Sequence, residues 1–318
     1  MPLVGISGID YWLPKTVVSV EDLEQEGLIT SSAPTLRSMG FDRIHVATDD
    51  QERADLALRA AQSLLESGDV DPRSVDTMIL FGALDSEATP RPSGGGPGLL
   101  IDQFRYPASR IQHELGLSRA VAFAIGQQGC ASLTSALRLS RALLRSGDAE
   151  RILCVGADAV PPGHQREVIY NVLSDGACAL LVDAGHERLQ PVAFRQITKG
   201  YYWDSPAKRT EIMAAYYPTA RTVVNEALAI AGITAGDVEL FIPDNISMQS
   251  WKVLLELLEI PAERAYLENI AMHGHFVSAD NIVNLKDALA ANPLPPGAPI
   301  VLFTFGFGAN WSATVLLA

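Results

Sequence analysis

One cysteine stands where sulfur chemistry is easily placed. Gly126-Gln127-Gln128-Gly129-Cys130-Ala131-Ser132 lies between an apolar run at 120–125 and a helical pattern that continues to about Arg145. Cys130 is therefore expected on a turn at a helix start, where unpaired N–H groups and partial positive charge stabilise a thiolate. Such a thiolate is a nucleophile, and Gly129 beside it permits a tight bend and close approach of a substrate. The alternative, a small buried hydrophobe, is the reading for Cys154 and Cys178, each inside an apolar strand-like run. Three cysteines at these spacings form neither a disulfide framework nor a zinc cage. They suit a reducing cytosol, with no metal and no bound cofactor expected.

The elements that must position this sulfur repeat along the chain. In the first half, an amphipathic stretch at 54–65 leads through Gly68-Asp69-Val70-Asp71 into the apolar run Thr77-Met78-Ile79-Leu80-Phe81. In the second, 220–231 leads through Gly232-Ile233-Thr234 into Val238-Glu239-Leu240-Phe241-Ile242. A second helix follows each strand, at 110–115 and 250–258, and each half closes on a pair of runs apolar at nearly every position. These are 152–156 with 177–182, and 300–303 with 312–317, as strands covered on both faces should read. The pattern predicts an α/β protein of two similar halves, 1–185 and 186–318, layered helix, sheet, helix, sheet, helix. Two segments break the symmetry: a Gly/Pro-rich excursion at 86–108 and the aromatic loop Tyr201-Tyr202-Trp203-Asp204-Ser205-Pro206. Both are candidates for lining a pocket or a dimer interface.

Composition narrows the function classes. The 318 residues are 48% hydrophobic and carry a formal charge of −13. That charge disfavours a nucleic-acid partner, whose phosphates need Lys and Arg. There is no run of about 18 apolar residues to span a membrane, and no basic region followed by an apolar run as an export signal would require. The expectation is a cytoplasmic enzyme.

Four segments, in order, carry a family resemblance. Gly40-Phe41-Asp42-Arg43-Ile44-His45-Val46-Ala47, the strand-to-helix segment around Cys130, Leu173-Ser174-Asp175-Gly176-Ala177, and Thr304-Phe305-Gly306-Phe307-Gly308-Ala309-Asn310-Trp311 resemble motifs of ketoacyl-ACP synthase III enzymes. The resemblance implies a thiolase fold with five α-β-α-β-α layers, the usual homodimer, and transfer of an acyl group from a CoA or carrier-protein thioester to the cysteine. It also implies an oxyanion hole made of the backbone N–H groups of Cys130 and Phe307.

The chain departs from that family in its other two catalytic positions. Phe241-Ile242-Pro243-Asp244-Asn245 puts Asp244 in the place of the family's histidine, and Met272-His273-Gly274-His275 puts His275 in that of its asparagine. The expected set is Cys130, His275 and Asp244. A carboxylate that orients an imidazole suits proton removal from a hydroxyl, amine or thiol, whereas an ionised Asp244 would repel the enolate of a decarboxylating condensation. The resemblance therefore points to the acyltransferase branch, which decorates polyketide-type natural products and delivers its acyl group to a small-molecule acceptor. Relatives that take CoA stack its adenine on a tryptophan absent from Ala33-Pro34-Thr35-Leu36-Arg37-Ser38. This favours a phosphopantetheine arm on an acyl carrier protein as donor, with Arg37, Arg43 and Lys208 as rim candidates. His273, His45, His113, His164 and His186 read as structural.

Overall fold

The computed structural model describes residues 2–84, 101 and 104–318. Most of the excursion at 86–108, including Pro90 through Gly98, lies outside the described residues, and so does its expected pocket-lining role.

In chain order the first elements are β1 (Val4–Trp12), β2 (Thr16–Ser19), α1 (Val20–Gln25), α2 (Ala33–Ser38), β3 (Arg43–Val46) and α3 (Arg53–Ser67). There follow β4 (Thr77–Phe81), α4 (Pro107–Glu114), β5 (Val121–Ile125), α5 (Ser132–Ser146), β6 (Arg151–Asp158), β7 (Glu167–Val168), β8 (Asn171–Val172) and β9 (Gly176–Ala184). The remainder is β10 (Gln190–Thr198), α6 (Arg209–Ala231), β11 (Leu240–Ile242), α7 (Met248–Leu258), α8 (Glu268–His273), α9 (Asp280–Ala291), β12 (Pro299–Gly306) and β13 (Asn310–Leu317).

Two sheets share one plan. The first runs β1-β9-β6-β4-β5 and the second β10-β13-β12-β11. In each, one parallel pair (β4 with β6, β11 with β12) is continued by two antiparallel pairings. The first sheet adds β5, parallel to β4, which has no counterpart in the second.

Alternation along the strands sorts the core into layers. Met78 and Leu80 of β4 face a cluster with α3 and α4, whereas Ile79 and Phe81 face the middle layer. Likewise Ile300 and Leu302 of β12 face the middle layer, and Val301 and Phe303 face α6 and α7. The middle layer holds Leu133 and Leu137 of α5 and Ile282, Val283 and Leu285 of α9 between the sheets. The order is thus helix, sheet, helix, sheet, helix.

Helix α6 is longer than its apolar pattern predicts. The pattern is clear only from 220, and Pro218 lacks an N–H and crowds the preceding turn. The helix nevertheless starts at Arg209, with Pro218 inside it, and buries Tyr216, Ala220, Val223 and Val224 against the second sheet. Tertiary packing outweighs the lost hydrogen bond.

Candidate active site

Cys130 sits in a single 3-10 turn, Gly129–Ala131, between β5 and α5. The turn is possible because Gly129 takes φ +55°, in the left-handed region that glycine enters without cost. Cys130 is 8% exposed and packs with Val160, Leu173 and Val277, bordered by Ala83, Leu84 and Val168. This apolar wall changes the expected ionisation. Burial pushes the Cys130 thiol up to about 11, outweighing the lowering by its contact with His275. Helix α5 begins only at Ser132, two residues beyond the sulfur. Cys130 therefore rests as a thiol, and a base must take its proton at the moment of attack. Cys154 and Cys178 are fully buried in their strands with thiols raised by burial, as inert core residues should be.

The base is placed by the second half. His275 Nε2 lies 3.7 Å from Cys130 Sγ, a contact within sulfur hydrogen-bonding reach, and His275 Nδ1 lies 2.5 Å from Asp280 Oδ2. Here the expected set is corrected, because the carboxylate on the imidazole is Asp280 and not Asp244. Asp280 is the first residue of α9, where the helix dipole favours a negative charge. It also accepts from the N–H of Asn245 and of Phe276, each at 2.6 Å. Burial works against a charge on His275, but the charge and hydrogen bond of Asp280 carry the ring well above its ordinary value. Asp280 thereby stabilises the imidazolium that forms when the Cys130 proton is taken.

Asp244 is close by but turned to other partners. Its Oδ2 accepts from Thr304 Oγ1 at 2.8 Å and from the Phe305 N–H at 3.1 Å. Burial, and then the charge of Asp280, push its carboxyl up to about 8. Asp244 is consequently protonated for the most part at neutral pH, and the repulsion expected of an ionised Asp244 falls away. The two carboxyls differ in their donors: three reach Asp280, and two reach Asp244.

The residues after Thr304 and Phe305 close on the nucleophile. A Cβ placed on Gly306 would lie 2.0 Å from Gln128 O and 2.8 Å from Cys130 N, and one on Gly129 would lie 2.7 Å from Phe307 N. Only glycines allow the two turns to touch. The expected oxyanion donors, the N–H groups of Cys130 and Phe307, thus belong to segments in direct contact.

Several residues around the site had no counterpart in the sequence reading. Asp158, Asp280, Ser278 and the buried amides of Asn245, Asn281 and Asn284 all brace it. The available signal was the spacing His275-x-x-x-x-Asp280, an acid at the start of a helical run five residues after a histidine. The rim candidates are engaged within the chain: Arg37 with Glu21 and Asp42, Arg43 with Met272, Lys208 with Tyr201 and Glu211. The aromatic loop abuts the second turn through Gly308 N–H to Ser205 Oγ, while Tyr201 and Trp203 point to solvent. His45 and His273 hydrogen-bond each other at 3.0 Å, half-buried. Among the described residues no group of His, Cys, Asp and Glu could hold a metal ion, and no helix is long and apolar enough to cross a membrane. A cavity of about 300 Å³ beside β5, lined in part by Tyr106, Phe123 and Gly126, includes neither Cys130 nor His275 in its lining, so the chemistry lies outside it.

Comparison with known proteins agrees with this architecture. Residues 126–200 match 3-oxoacyl-[acyl-carrier-protein (ACP)] synthase III, and residues 228–317 match the C-terminal part of the same family. The β-ketoacyl-[acyl-carrier-protein] synthase III of Cereibacter sphaeroides is 27% identical over 98% of both chains, and that of Methylococcus capsulatus 24% over 98% of both. The solved 3-oxoacyl-(acyl carrier protein) synthase III of Pseudomonas aeruginosa PAO1 is 26% identical, with TM-score 0.81 over 99% of this chain and 98% of that one. The acyltransferase ChlB3, 23% identical, superposes with TM-score 0.84 over 100% of this chain and 98% of its own, a likeness of fold. The chain belongs to the ketoacyl-ACP synthase III-like enzymes of the thiolase superfamily.

Proposed function

We propose that the protein is an acyltransferase that loads an acyl group from a carrier-protein thioester onto Cys130 and passes it to a hydroxyl or amine of a small acceptor, in polyketide-type biosynthesis. The observation that carries this reading is the position of the His275 ring, between the Cys130 sulfur and the Asp280 carboxylate. In the first half-reaction the Cys130 proton passes to His275 Nε2 and the sulfur attacks the thioester carbonyl. The oxyanion is held by the Cys130 and Phe307 N–H groups, and the departing phosphopantetheine thiolate takes the proton from His275. In the second, the acceptor O–H or N–H gives its proton to His275 as it attacks the acyl carbon, and the Cys130 sulfur leaves and recovers that proton. Base assistance of this kind contributes about 10²–10⁴-fold in rate.

Condensation is disfavoured by Asp280 on the imidazole rather than by Asp244. Decarboxylation of a malonyl thioester generates its own carbanion, so in the second half-reaction a carboxylate-backed imidazole would have no acceptor proton to remove. A condensing enzyme is nevertheless the second reading, favoured by the names of the curated relatives. A non-catalytic subunit of a heterodimer is the third, and the paired sulfur and imidazole speak against it. The test is intact-mass analysis with acyl carrier proteins, followed by a chase with alcohols, amines or malonyl carrier protein. Expected are an acyl adduct on Cys130 and ester or amide products. Carbon dioxide release with a β-ketoacyl product would establish condensation, and no adduct from any donor would establish the scaffold.

The homodimer is proposed through β5. This strand is apolar at all five positions, yet among the described residues one edge is unpaired and Val121 is 66% exposed. An open apolar edge is a template for a second copy of the same strand.

A further inference from the structure

Asp158, at the end of β6, is fully buried, and its carboxylate collects four hydrogen bonds from two distant segments. Oδ1 accepts from the N–H groups of Ala83, at 2.9 Å, and Leu84, at 2.8 Å. Oδ2 accepts from the Ser278 N–H at 3.0 Å and from the Ser278 hydroxyl. Ala83 and Leu84 border the apolar wall around Cys130, and Ser278 lies three residues after His275. Between them, Val277 holds φ +59°, a conformation that a β-branched residue leaves unless its surroundings fix it. Other restraints on this segment act on its two ends. The His275 backbone pairs with Val172 and Ser174, and Asp280 accepts from Phe276. Ala279 N–H closes a turn on Phe276 O across Val277, and among the described residues Asp158 is the side chain that hydrogen-bonds Ser278, next to the strained residue.

We infer that Asp158 is a positioning residue, a clamp that fastens the 275–278 segment to the Cys130 wall and so holds the His275 ring at the sulfur. Resting on the proposed relay between His275 and Cys130, the inference adds a member that touches no substrate. A carboxylate is required by the donor count, since all four groups facing it are N–H or O–H. In Asp158→Asn the amide NH2 would face either Ser278, whose N–H would lose its acceptor, or the two N–H groups at Ala83 and Leu84, which would both lose theirs.

The test uses iodoacetamide, which alkylates Cys130 without any acyl donor, so the clamp is read apart from the question of substrate. Rates across pH are compared for the wild type, His275→Ala, Asp158→Asn, Ser278→Ala, and each of the last two combined with His275→Ala. Because Asp158 acts through the imidazole, Asp158→Asn should reproduce much of the altered pH profile of His275→Ala, with about tenfold or greater loss of rate near neutrality. Ser278→Ala, which keeps the backbone bonds, should move it in the same direction by less, and neither should add to His275→Ala. If Asp158→Asn proves unfolded by circular dichroism, Ser278→Ala carries the test alone. Equal losses with and without His275, or an unchanged profile in Asp158→Asn and Ser278→Ala, overturn the clamp. An unchanged profile in His275→Ala itself would sink the relay beneath it.

Discussion

The two sheets follow one strand order, yet their halves contribute different things. The first supplies the sulfur, on a turn after β5, the one strand that the second sheet lacks. The second supplies the imidazole from the turn after α8, Asp244 from the turn after β11 and Asp280 from the start of α9. Their edges differ as well: among the described residues the outer edge of β5 is open, whereas β11 is covered by a bridge from Phe241 to Ala265. A repeated framework thus brings loops to one place, and chemistry depends on which side chains those loops carry.

That division can be broken from either side. Cys130→Ala should abolish acyl adduct and turnover alike, because the other two cysteines are fully buried in their strands; intact mass and product assay check it. Gly306→Ala strikes the seam between the halves. Its Cβ would sit 2.0 Å from Gln128 O, and displacing the turn should slow turnover by about 10²–10³-fold, the loss typical of an oxyanion donor. Measured loading rates after stopped reaction would decide, and a wild-type rate would mean the Phe307 N–H has no such role. Ala124→Arg puts a charge on the open edge. Light scattering should show a shift from dimer to monomer, and an unchanged mass would move the interface elsewhere.

The smallest effect concerns Asp244. Its carboxyl is raised from 3.8 to about 8 by burial and by Asp280. The folded state therefore binds the proton more tightly than the unfolded one, and this contribution to stability is full below about pH 4 and lost as pH rises through about 8. Asp244→Asn stays neutral throughout, so its melting temperature should gain on the wild type as pH rises across that window. Parallel curves would show that Asp244 is ionised.

Much of this arrangement is legible in the chain because strands covered on both faces are apolar throughout, and because Gly129 and Cys130 mark a turn between two patterned elements. The carboxylate partner of His275 is not. Asp280 opens a helix and reads as an ordinary cap, and only the packing of α9 between the sheets brings it to the ring. Asp158 was equally hidden, as an acid ending an apolar strand. The first part of α6 was obscured by Pro218, whose local cost is offset by burial that no local pattern reveals.

The central claim is that Asp280 makes His275 the base of the transfer. Wild type, Asp280→Asn and Asp244→Asn would each be loaded with the same acyl group on Cys130, and the single-turnover rate of release to an alcohol or amine acceptor measured. The account predicts a loss of about 10²–10⁴-fold for Asp280→Asn and little change for Asp244→Asn. A near-normal rate in Asp280→Asn, with transfer collapsing in Asp244→Asn, would contradict it.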